Sequence, residues 1–143
     1  PDLSDTFGDV DGTLTYGDVL LQPEIEHCRY YFELADVEGL KAVYDTYERF
    51  YPLFQKAYER LGYPNAYFND RLIEVIDHLL ATPEPEGPIV LARPNVLYEF
   101  ADPDLEALSS GQKLMLRMGP NNAATLKRLL EKFRSRLTGD RPS

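Results

Sequence analysis

Apolar residues recur every third or fourth position through most of this chain and alternate only near its start and around residue 90, so helices should dominate over strands. The longest helical signal lies between Asp36 and Leu61, where Leu40, Val43, Tyr44, Tyr47, Phe50, Phe54, Tyr58 and Leu61 keep the spacing throughout. Asp36 can cap this helix and Gly62 can end it. Pro52 lacks a backbone donor and crowds the preceding turn, which predicts a kink or break near Glu48 to Tyr51. The period survives past the proline and favours the kink.

A second amphipathic helix is predicted over Phe68 to Ala81, with Phe68, Leu72, Ile73, Ile76, Leu79 and Leu80 on one face and Asp70, Glu74 and Asp77 on another. The breaker "TPEPEGP" follows. "IVLA" and "VLYEF", separated by Arg93-Pro94-Asn95, then read as two short extended pieces suited to a small hairpin. Asp102 with Pro103 behind it opens a helical turn reaching Leu108. In "SSGQKLMLRMG", Leu114 and Met118 share a face and Gly119 terminates. A last helix starts near Pro120 and turns Ala123 or Ala124, Leu126 or Leu130, Phe133 and Leu137 inward.

Before Asp36 the pattern is weaker. Leu14, Tyr16 and Val19 to Leu21 suggest two short strands around a turn, and Ile25, Cys28, Tyr31 or Phe32 and Ala35 mark a short helix with Pro23 in its first turn. The expected fold is mainly α: a compact helical domain of about five to six helices with a small N-terminal β-hairpin and minor extended segments. A single domain over 1–143 is expected, with a β or irregular lead-in (1–21), a helical body (22–137) and a disordered tail (138–143).

Composition supports a folded globule: 43% of residues are hydrophobic, and seven Phe and ten Tyr stand in for the missing Trp. The net charge of -9 opposes a nucleic-acid partner, which would need clustered Lys and Arg. The charge is uneven. From Pro120 onward six Lys or Arg meet two acids, an excess of +4 that leaves -13 for the rest, so the last helix carries a basic face suited to solvent or to an acidic partner. Cys28 stands alone, which excludes an intramolecular disulfide and a zinc framework. No run of about 18 apolar residues occurs, and the chain as given is expected to be soluble.

The most enzyme-like string is "GDVDGTLTYGD". Its Asp9-Val10-Asp11-Gly12-Thr13 matches the opening of haloacid-dehalogenase-type phosphatases, which would make Asp9 the nucleophile and Asp11 the acid and base of a magnesium-dependent enzyme. That chemistry needs an apolar strand ahead of the first Asp, and Leu3 to Gly8 does not supply one. As a calcium loop the same string would place Asp9, Asp11 and Asp18 as ligands, but Phe7 would stand at the first ligand position without an oxygen. Asp-Gly and Tyr-Gly turns in a hairpin account for it more simply. Glu74, Asp77 and His78 share helical spacings that suit a divalent metal or a charged surface. No catalytic residue, metal site or cofactor is assigned from these patterns.

Three pieces are distinctive: "LGYPNAYFNDRLIEVIDHLLATP", "VLYEFADPDLEALS" and "GQKLMLRMGP". Through them the stretch from Tyr51 to Ala124 resembles a proteobacterial family known as domain of unknown function 3014, with a looser fit upstream. The resemblance implies an N-terminal membrane anchor absent from this chain, a flexible linker, and a place in the cell envelope outside the cytoplasm. It supplies no catalytic residues or ligands.

The same pieces concentrate hydrogen-bonding groups unusual for a plain helical core: Tyr63, Tyr67, Asn69, Asp70 and Arg71, then Tyr98, Glu99, Gln112 and Arg117. They suit a structural network, with Asn65 or Asn69 capping and Arg71 or Arg117 pairing with Glu99 or Asp70. They also suit a binding surface, since Tyr and Arg anchor interfaces. The sequence is thus read as a non-enzymatic binding or assembly module of the bacterial cell envelope with a protein or cell-wall partner.

Overall fold

A proline inside a helix costs one hydrogen bond, and twenty-four residues of apolar period outweigh it here. In the computed structural model, which describes residues 37–94 and 97–139, helix α1 runs unbroken over Val37–Arg60 through Pro52. The lost donor is the one that would have met the Glu48 carbonyl. The expected N-terminal hairpin, the short helix before Asp36 and the Asp9-Asp11 string lie outside the described residues, as does the end of the chain past Gly139.

After α1 come α2 (Phe68–Leu80), β1 (Leu91–Ala92), β2 (Glu99–Phe100), α3 (Pro103–Glu106), α4 (Ser110–Arg117) and α5 (Pro120–Leu137). The described residues are therefore mainly helical with one small antiparallel ribbon, in which Leu91 faces Phe100 and Ala92 faces Glu99. Gly62 ends α1 at a φ of 112° and Gly119 separates α4 from α5 at 88°, conformations that a side chain would strain.

These residues gather into two compact units, one formed by 82–123 and the other by 37–81 with 124–139. In the first, Phe100, Leu105 and Leu116 form a buried cluster with Ile89, Leu91 and Leu108 against it. Asp102 caps α3 by accepting from the Asp104 amide at 2.9 Å, and Ser109 Oγ caps α4 by accepting from the Gln112 amide at 3.3 Å. Glu106 ties the ribbon to the helices: its Oε2 accepts from the Phe100 amide at 2.8 Å and its Oε1 from Lys113 Nζ at 2.7 Å. Those bonds, the lysine first, hold the Glu106 carboxyl below its ordinary range.

The second unit is held by rings. Tyr47 lies 5.8 Å from Phe54, 6.3 Å from Phe68 on α2 and 6.0 Å from Phe133 on α5, and Phe54 stacks on Phe68 at 5.7 Å. At the edge of this layer Arg134 of α5 makes a two-pronged bond to Asp77 of α2, which holds that carboxyl below its usual range.

Helix α2 takes its cap from another element. Tyr67 stands at its N-cap with no side-chain capping bond, and neither Asn65 nor Asn69 fills the role expected of it. Instead Gln55, on α1, accepts from the Phe68 amide at 2.7 Å and donates to the Ala66 carbonyl at 2.9 Å. Its Oε1 also accepts from the Tyr51 hydroxyl at 3.1 Å. Gln55→Ala should thus cost about 1–3 kcal/mol in denaturant unfolding and accelerate hydrogen exchange at the Phe68 amide. Lys56→Ala, next to it on the exposed side of α1, should stay within about 0.5 kcal/mol.

Candidate functional site

Helical spacing sets Tyr44, Tyr47, Glu48, Tyr51 and Pro52 along one side of α1. With Tyr67, Asn69 and Asp70 at the start of α2, and Leu137 at the end of α5, they line an open cleft of about 500 Å³, ample for a side chain or a small ligand. Its walls are largely aromatic. Tyr47 and Tyr51 meet edge to face at 5.7 Å, and the Arg136 guanidinium lies 5.6 Å from the centre of the Tyr44 ring.

The hydroxyls fix the walls. Tyr47 donates to Asn69 Oδ1 at 2.9 Å, and Tyr51, while donating to Gln55, accepts from the Asn69 amide at 3.3 Å. Burial, with Tyr51 and Tyr44 nearby, pushes the Tyr47 phenol up to about 12, so it stays neutral across the physiological range. Two of the freed donors at the start of α2, the Phe68 and Asn69 amides, are thereby consumed by α1 side chains. The Glu48 and Asp70 carboxylates are exposed and, among the described residues, make no hydrogen bond or ion pair.

Of the nine residues singled out from sequence, five fall in this unit and four in the other. Tyr67, Asn69 and Asp70 line the cleft. Tyr63 stacks on Tyr58 at 4.7 Å beside the α1–α2 turn. The expected pairing of Arg71 with Asp70 or Glu99 gives way to Glu74, one helical turn along, at 2.9 Å. Glu74 at i+3 sits beside Arg71 on the helix surface, whereas Asp70 at i-1 faces elsewhere. Glu74 and Asp77 are each bound to an arginine, as befits a charged helix surface.

In the unit over 82–123, Tyr98 receives the Arg93 guanidinium 5.4 Å from its ring centre, Glu99 is exposed in β2, Gln112 is buried in α4 and Arg117 is exposed at its end. A shallower depression of about 460 Å³ includes Glu99, Phe100 and Glu106, but the Glu106 oxygens are already engaged. The buried Gln112 has its polar atoms satisfied, as does every buried side-chain polar atom among the described residues.

Sequence reasoning missed Tyr44, Tyr47, Glu48, Tyr51, Pro52 and Leu137 as cleft residues. The signal was present, because tyrosines occupy positions on α1 where leucine or valine would pack as well and carry no polar tip.

The described residues are mainly helical, and one of their two units carries a tyrosine-walled cleft. The chain belongs to the family described as protein of unknown function (DUF3014), which matches residues 20–134. No solved structure matches it.

Proposed function

We propose that this domain is a non-enzymatic binding or assembly module of the bacterial cell envelope, and that it engages its partner through the tyrosine cleft of α1 and α2. The observation that supports this is the combination of tyrosine walls with two carboxylates that have no partner among the described residues. A residue kept only for packing has no need of an exposed tyrosine, yet Tyr67 is 67% exposed over the cleft. Tyrosine supplies wide contact area and a polar tip with few rotors to freeze, the combination favoured at interfaces.

Affinity capture from envelope extracts tests this reading. The immobilised wild-type chain should retain a discrete set of components that a folded Tyr67→Ala, Tyr51→Phe variant loses. Retention of the same set by both proteins, or of nothing beyond the bare matrix, would remove the cleft from the function. Recovery of the native protein only in the cytosolic fraction would remove the envelope.

A further inference from the structure

The cleft sets two carboxylates beside tyrosine faces, and that pairing selects the charge of its ligand. We infer that it receives the cationic side chain, lysine or arginine, of a separate partner polypeptide, seated against Tyr51 and Tyr67 between the Glu48 and Asp70 carboxylates. The inference rests on the binding role proposed above and adds the chemistry of what is bound.

Three observations converge on a cation. First, Glu48 and Asp70 contribute from two different helices to the same cleft, and neither meets a counter-charge among the described residues. A bound cation would supply an ion-pair partner to either carboxylate. The Glu48 carbonyl, deprived by Pro52 of its helical donor, adds a backbone acceptor on the same stretch of α1.

Second, the feature that would recruit an anion has been consumed. A helix start attracts anions through its free amides, but here Phe68 donates to Gln55 and Asn69 to Tyr51. Asp70, in the first turn, answers the remaining helix dipole.

Third, the walls are tyrosine faces, which attract cations through the ring quadrupole. One such pair is already built into this unit, with Arg136 over Tyr44. That guanidinium takes one ring, so the incoming charge is directed to Tyr51 and to Tyr67. A neutral saccharide could also stack on tyrosine, but it would leave both carboxylates uncompensated in the bound state. A cation offsets their desolvation and so is favoured.

The test titrates the full chain with the peptide acetyl-Gly-Gly-Arg-Gly-Gly-amide, its lysine counterpart and its citrulline counterpart, following the tyrosine ring resonances by NMR. Arginine and lysine peptides should shift Tyr51 and Tyr67, and citrulline, which keeps the shape and loses the charge, should bind roughly tenfold or more weakly. Glu48→Gln with Asp70→Asn should abolish that preference, and the unchanged spectrum elsewhere reports whether the variant folds. The wild-type response should also weaken as salt rises.

Equal binding of the citrulline peptide, no binding of any peptide, or an undiminished preference in the double variant would each overturn the inference. Chitotriose serves as a neutral saccharide probe. If it shifts the same rings while the cationic peptides do not, the cationic ligand is wrong and the cleft still binds. Self-association that disappears in the double variant would put a second copy of the chain in the cleft and likewise overturn a separate partner.

Discussion

Tyr47→Ala is expected to remove roughly 2–4 kcal/mol of stability, enough to bring a domain of ordinary stability close to unfolding. The ring joins α1 to Phe68 of α2 and to Phe133 of α5, and it braces Tyr51 and Phe54 on its own helix. Truncation deletes all of these contacts at once, and it leaves Asn69 Oδ1 without its donor. Tyr47→Phe separates the two effects: it keeps the ring and should cost only about 1 kcal/mol for the lost bond. Urea unfolding of the three proteins side by side checks the order.

The same residue gives a signature in alkali. Its folded-state value of about 12 lies above the ordinary phenol value of 10, so the neutral form is the one that the fold favours. The stability tied to that preference is intact below pH 10 and is lost as pH rises towards 12. Tyr47→Phe has no such proton to lose. Its stability should therefore fall less steeply than that of wild type across this window, and its tyrosinate absorbance should lack the late-titrating component that Tyr47 gives the wild type.

Why the elements were legible and the site was not follows from what periodicity encodes. Across α1 and α2 the apolar positions recur so regularly that helix bounds come within about two residues of those expected, and even Pro52 leaves the helix whole. Asp102 sits where a cap is needed, and it caps α3. By contrast, "KLMLRM" in α4 has apolar side chains at 114, 115, 116 and 118, so it offers two stripes. Met115 is 1% exposed and Leu114 59%, and the stripe that goes inward includes the polar Gln112. No apolar pattern could have selected it. Thr82 and Asn122 are buried for the same reason; Asn122 Nδ2 donates to the Met118 carbonyl at 2.8 Å.

The cleft escaped notice by a related ambiguity. Tyr44, Tyr47 and Tyr51 satisfy the helical pattern as core residues, and only the position of α2 shows that part of their surface remains open. Tyr67, Asn69 and Asp70 stood out because the turn before α2 breaks the pattern. Capping of α2 by Gln55 joins residues thirteen apart in sequence, a pairing that local rules do not reach.

In the other unit, Phe100→Ala should be the most damaging single truncation, at about 3–5 kcal/mol, because a buried ring is lost from a small cluster with few neighbours able to close over it. The ribbon has only two residues in each strand, so its backbone bonds alone cannot hold it. It persists because Phe100 packs on Leu105 and Leu116 while Glu106 holds the Phe100 amide. Loss of the ring should therefore release the ribbon as well, and the amides of Phe100 and Ala101 should exchange rapidly even where α4 stays protected. Phe100→Leu, which retains most of the apolar volume, should lose far less. If the alanine variant unfolds no more easily than Leu114→Ala, whose site is exposed, then the cluster around Phe100 does not hold this unit together.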